Sequence, residues 1–260
     1  DQTVIRAEKL VALVDPSLLV ISFIPEDISR TELSVRSGAS KPFFEVVDGN
    51  LDLRNVPVPV IKKDIDRLGL FRNVFGYSFL IDGIMRKLGH EAFWYGGGWD
   101  TTRVHTEGVQ VSCLLMERLS FLARARGLDL LLLAQYLEHE VSGTRPSIMD
   151  PVIKCARQYG IAVLDLHKHL GEIWDASPET LGSLYFHQSH MTPAGNYVVA
   201  QILCEYFVGN GSFSDLAGSC CHSSQDYDDN QCPDISEAFG NLSFSHPARQ
   251  DHISGYHSVL

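Results

Sequence analysis

Leu18-Leu19-Val20-Ile21-Ser22-Phe23-Ile24 carries a single polar side chain, Ser22, and runs straight into Pro25-Glu26-Asp27. An uninterrupted apolar run of this length reads as a parallel strand covered on both faces, since a strand with one wet face would alternate. Leu128-Asp129-Leu130-Leu131-Leu132-Leu133-Ala134 repeats the pattern, and Ile161 to Leu164 gives a shorter third strand. Helical patterns stand between them, at Glu107 to Arg126 and at about Ser147 to Tyr159. Apolar strands alternating with helices predict an α/β fold, a parallel sheet joined by right-handed crossovers. Ligands of such sheets gather beyond the carboxyl ends of the strands. Pro25 to Asp27, there read as the start of a loop, Gln135 to His139 and Asp165 to His169 are therefore expected on one rim.

The remaining segments fit around this sheet. Thr3 to Val14 reads as an amphipathic helix ended by Asp15-Pro16. Phe43 to Val47 and Leu51 to Val56 flank Asp48-Gly49-Asn50, a hairpin signal, so residues 41–59 form a small β-hairpin insertion closed by Pro57-Val58-Pro59. A helical stretch runs from Ile61 to Leu88, and the Tyr95-Gly96-Gly97-Gly98-Trp99 segment separates it from the next helix. Trp94, Tyr95 and Trp99 read either as aromatics of a substrate lip or as a turn with buried rings. After residue 208 the composition shifts to Ser, Asp, Gly, His and Asn, so 1–208 is expected as an α/β domain and 209–260 as a polar, mostly irregular tail.

With 260 residues, 45% hydrophobic and 20% charged, the chain has material for one substantial core plus an appendage. A net charge of -11 argues against a nucleic-acid surface, which needs clustered Lys and Arg. No apolar run approaches the roughly 20 residues of a membrane-spanning helix. The chain opens at Asp1 with no signal-like segment, which suggests a processed, trimmed or incomplete product. Cys113, Cys155 and Cys204 sit in helical, apolar contexts and read as buried free thiols. Cys220, Cys221 and Cys232, with His222 alongside, match no common zinc spacing.

The chemistry-bearing stretch is Tyr185-Phe186-His187-Gln188-Ser189-His190-Met191-Thr192-Pro193-Ala194-Gly195-Asn196-Tyr197-Val198-Val199-Ala200. Pro193 suits a first helical turn, and Val198, Val199, Ile202, Leu203 and Tyr206 supply that helix with a buried stripe. His190, at the junction, is a candidate general base. The stretch resembles the closing block of the SGNH (GDSL-type) esterases and acyl-hydrolases, where a histidine before a small-Pro-small-Gly sequence completes a Ser-His-Asp triad. Val20 to Arg30 is similar to the family's block in which a strand runs into Asn-Asp. Lys41-Pro42-Phe43-Phe44 through Asn55-Val56-Pro57-Val58-Pro59 is similar to an insertion in many large bacterial members.

The resemblance covers roughly residues 1 to 208 and implies a three-layer α/β/α fold with a flavodoxin-like sheet. It implies a serine nucleophile in a Gly-Asp-Ser block, which these 260 residues do not contain; the nucleophile and the first strands would then lie upstream, leaving Leu18 to Ile24 with an open edge. Ser22 and Ser112, within a strand and a helix, do not resemble an activated nucleophile. The family's oxyanion-hole Asn falls at Glu26, where a carboxylate would repel the developing charge. Asp27 matches the following Asp, or else caps backbone amides. The triad acid's position falls on Gln188 or His187, and neither is an anion; Asp165 could orient the imidazole instead. No cofactor is implied. The implied substrates are acyl esters of carbohydrate or lipid, and the implied setting is the cell envelope or the exterior.

Two other readings stay open beside this one. A non-catalytic domain of the same type would bind carbohydrate or a protein partner, as Glu26, His187 and Gln188 favour. A metal-dependent hydrolase would use His167, His169, His187 and His190, with Asp165 or Glu138 completing the set.

Overall fold

In the computed structural model, which describes residues 1–59, 75, 78–90, 101–186 and 190–210, the chain opens with helix α1 (Gln2–Val14). Asp15 ends that helix in the left-handed conformation, φ 44°, just ahead of Pro16. Strand β1 (Leu18–Phe23) leads into α2 (Pro25–Arg30), and β2 (Leu33–Arg36), β3 (Ala39–Ser40), β4 (Phe43–Val47) and β5 (Asn50–Arg54) follow. Helix α3 (Phe79–Lys87) and β6 (Thr102–Arg103) come next, then α4 (Gly108–Arg126), β7 (Asp129–Ala134), α5 (Glu138–Ser142), α6 (Met149–Gln158) and β8 (Ala162–Asp165). Helices α7 (Leu166–Ala176) and α8 (Pro178–Ser183), the short strands β9 (Tyr185–Phe186) and β10 (His190–Met191), and helix α9 (Pro193–Asn210) complete the order. Most of the helix expected over 61–88, the aromatics Trp94, Tyr95 and Trp99, and residues 211–260 lie outside the described residues.

The three apolar runs form one parallel sheet, as the alternation of strand and helix predicts, and its strand order is β1-β7-β8. Leu18 stands opposite Asp129 and Phe23 opposite Ala134; Leu131 stands opposite Ala162 and Ala134 opposite Asp165. All three carboxyl ends therefore open onto the same edge. Leu130 to Ala134 are buried without a break, the signature of a central parallel strand. β1 corrects the expectation of cover on both faces. Ile21 and Phe23 are buried, but Val20 is 39% exposed and Ser22 is exposed between them. Among the described strands β1 has a neighbour on one side only, and an edge strand lacks the cover that a neighbour and its crossover provide.

Helix α4 contacts α1, α6 and β7 and buries Val111, Leu115 and Leu119, spaced to fall on one face. Helix α6 answers with Val152, Ile153 and Ala156. A second correction lies at this contact: Cys113 of α4 and Cys155 of α6 form a disulfide, Cα–Cα 5.4 Å, instead of two free thiols. Helix packing brings two thiols that lie 42 positions apart into bonding range, a juxtaposition that spacing alone does not encode. Cys204 is free.

The hairpin insertion forms as read. β4 and β5 pair antiparallel with Val47 opposite Asn50, and Asp48 and Gly49 both take positive φ, 50° and 78°. That primed turn matches the twist of the two strands, and glycine tolerates its second position at no steric cost. β2 pairs with β3 and β6 in a separate small sheet.

The chain divides into two compact units, Asp1–Gly171 and Glu172–Leu260, so the three-stranded sheet with α1, α4 and α6 belongs to the first, and the boundary falls within α7. In the second, α9 runs through Gly209 to Asn210, carrying helix two residues past the start of the expected tail. Among the described residues no helix is long and apolar enough to cross a membrane.

Candidate functional site

The rim at the end of β1 is helical. Pro25 stands at the first position of α2, where its missing N–H costs nothing, and Asp27 two residues on accepts from the Ile24 N–H at 3.1 Å. Those two features turn the expected loop at Pro25 to Asp27 into a helical start. The other Asp27 oxygen receives Arg30 Nη1 at 2.8 Å, while Arg30 Nη2 binds the Glu26 carboxylate and Arg36 stands 3.9 Å from the same group. Glu26, though its side chain is 53% exposed, is thus paired with cations, and Asp27 acts as a backbone cap. A small cavity of about 130 Å³ adjoins this rim, lined by Ser22, Asp27, Arg30, Arg36, Lys41 and Ser112 among others. Burial, and secondarily the nearby Arg36, lowers the Lys41 ammonium to about 8.

A different network occupies the ends of β7 and β8. Arg145 donates from Nη2 to Asp165 at 2.7 Å and reaches Asp150 at 3.0 Å, while its Nε donates to the Tyr136 hydroxyl at 3.3 Å. The second Asp165 oxygen accepts the His167 backbone N–H at 3.1 Å. The His167 ring meets the Tyr136 ring edge-on at 5.0 Å, and its Nε2 lies 3.2 Å from the Glu140 carbonyl, which makes Nε2 the protonated nitrogen. Tyr136 is 2% exposed. Burial, reinforced by the Asp165 charge, pushes its phenol well above the ordinary tyrosine range. Asp165, the candidate orienter, is thus bound to a guanidinium. Tyr136 lies within the Gln135 to His139 rim that the sequence predicts, whereas Arg145, in the loop after α5, has no local signal that marks it.

His190 belongs to the second unit. β10 pairs antiparallel with β9, His190 opposite Phe186 and Met191 opposite Tyr185, and the His190 side chain is exposed. Thr192 fixes the junction with the helix. Its N–H donates to the Leu184 carbonyl at 2.8 Å, its hydroxyl donates to the Ser183 carbonyl at 3.1 Å, and the same oxygen accepts the Gly195 N–H at 3.1 Å. Thr192 is therefore the N-cap of α9, with Pro193 at the next position. Gly195 is required there, because a Cβ would lie 2.3 Å from the Leu184 carbonyl oxygen. His187 and Gln188 lie outside the described residues, so the triad-acid position has no geometry to report. Among the described residues no three His, Cys, Asp or Glu side chains gather closely enough to hold a metal ion. His167 belongs to the first unit and His190 to the second.

No family model matches this chain, and neither a curated protein nor a solved structure does.

Proposed function

We propose that the chain is part of an SGNH-like hydrolase that cleaves or transfers an acyl ester of a carbohydrate or lipid, with His190 as general base and acid. The observation that carries this reading is the anchoring of His190: an exposed imidazole on a two-residue strand, locked to the helix start by the Thr192 cap and the glycine-only contact at Gly195. A general base needs that combination of fixed backbone and accessible ring. The strand order β1-β7-β8 supports a flavodoxin-like sheet, in which three successive strands on one side of the switch point are laid down in chain order. The nucleophile would be a serine of a Gly-Asp-Ser block ahead of residue 1, which attacks the acyl carbon while His190 takes its proton and then delivers it to the leaving alkoxide. No cofactor enters this chemistry.

A second reading, a non-catalytic domain that binds carbohydrate or a protein, draws on one observation. Glu26 stands at the family's oxyanion position, and its carboxylate, which accepts from Arg30, offers no donor of its own. Fluorophosphonate labelling of this 260-residue chain beside the full product of its gene separates the two. Labelling confined to the longer product, and abolished there by His190→Ala, supports the hydrolase. No labelling of either sinks it in favour of the binding domain.

A further inference from the structure

An open cleft of about 480 Å³ lies along α6 and the end of β8, lined by Arg145, Asp150, Ile153, Lys154, Arg157 and Asp165, with Gln158. It is separate from the cavity beside α2 and belongs to the first unit alone. Three cations face two carboxylates here, in a chain whose net charge is -11. The pairing within the cleft is lopsided. Asp150 and Asp165 are both held by one guanidinium, that of Arg145, at 3.0 and 2.7 Å. Lys154 and Arg157 are exposed and stand three apart on α6, and their side chains have no hydrogen-bond or ion-pair partner among the described residues. Arg145 itself spends Nε on Tyr136 and Nη2 on the two carboxylates, which leaves the two N–H groups of Nη1 unclaimed by the described residues. Its guanidinium is held in place by those contacts, so a ligand meets a pre-positioned fork and two exposed, unpaired cationic side chains.

We propose that this cleft binds an oxyanion-bearing ligand, its phosphate or carboxylate groups received by Lys154, Arg157 and the open edge of Arg145. Cations that are neither paired nor buried, gathered in a concavity on an acidic protein, raise the local concentration of anions where the rest of the surface repels them. The proposal stands apart from the hydrolase reading, since it concerns binding alone.

The test is isothermal titration of the 260-residue chain at low ionic strength with inorganic phosphate in one series and citrate in the other. Saturable binding of at least one probe is expected, weakened by added salt because the contacts are solvent-exposed. The Lys154→Gln/Arg157→Gln variant, changed only at exposed helical positions, is expected to weaken it about tenfold, the sum of two modest exposed ion pairs. Tighter binding of phosphate assigns the cleft to a phosphoryl group, and tighter binding of citrate to carboxylates. Affinity unchanged in the folded variant, or no saturable binding of either probe, overturns the proposal. Circular dichroism confirms that the variant is folded, and Lys154→Gln alone gives the same readout should the double change perturb the helix.

Discussion

Arg145 and Asp165 meet at 2.7 Å at the carboxyl end of the sheet, and the contact ties the loop after α5 to the last residue of β8. The Arg145 side chain is 34% exposed and that of Asp165 20%, so the pair is screened by water on one side only. Asp165 also holds the His167 N–H, and Arg145 the Tyr136 hydroxyl, so loss of either partner strands a group at the rim.

Arg145→Met and Asp165→Asn are each expected to destabilise the protein by about 1–2 kcal/mol, with the double variant well short of their sum. Urea unfolding of the four proteins in the cycle measures the coupling. Additive losses would mean that the contact contributes nothing of its own.

Asp27→Ala is expected to cost about 1 kcal/mol in urea unfolding, the usual effect of removing a carboxylate that caps a helix start. Asp27→Asn, which keeps an acceptor for the Ile24 N–H but loses the Arg30 pairing, should fall between wild type and alanine. If Asp27 instead takes part in catalysis, both variants would lose activity in the full gene product without a matching loss of stability.

The Cys113–Cys155 disulfide closes a loop of 42 residues, and in the chain-entropy account such a crosslink contributes about 4 kcal/mol. Cys113→Ser/Cys155→Ser should lower the urea midpoint accordingly, and a non-reducing peptide map of the wild type should contain the linked pair. Recovery of both cysteines as free thiols from protein purified under oxidising conditions would refute the crosslink.

Tyr136 gives a pH dependence with a defined sign. Its phenol is raised above the ordinary value of 10.0 in the folded state, so above that pH the unfolded chain releases a proton that the folded one keeps. Tyr136 therefore subtracts stability as pH rises beyond 10.0, and contributes no slope below it. Urea unfolding between pH 9 and 11 should show a steeper loss for wild type than for Tyr136→Phe. Parallel curves would place the phenol in contact with solvent.

Gly195→Ala is expected to disturb the clasp around His190, because the new methyl would press on the Leu184 carbonyl oxygen that also accepts the Thr192 N–H. A loss of about 1–3 kcal/mol follows from overpacking of this kind, read as a lowered midpoint in thermal unfolding. Unchanged stability would show that the junction has slack.

Much of the sheet was legible along the chain. The apolar runs at Leu18 and Leu128 marked their strands to within a residue, and Asp48-Gly49 marked the hairpin turn, because period and turn chemistry are local properties. Pro193 likewise announced the start of α9. The rim was less legible. Pro25-Glu26-Asp27 reads equally as a loop or a helix start, and the choice depends on the Asp27 oxygen reaching back to Ile24 and on Arg30 one turn later.

By itself, then, the sequence determined the strands, their parallel sense and the junction that carries His190, since these follow from hydrophobic period, the alternation with helices, and proline and glycine within a few residues. Tertiary structure alone decided that Cys113 meets Cys155, that Arg145 takes Asp165, and that the Lys154 and Arg157 side chains find no partner among the described residues. Those outcomes depend on which helix faces packing brings together, and a side chain's charge or thiol carries no record of the distant group it will meet.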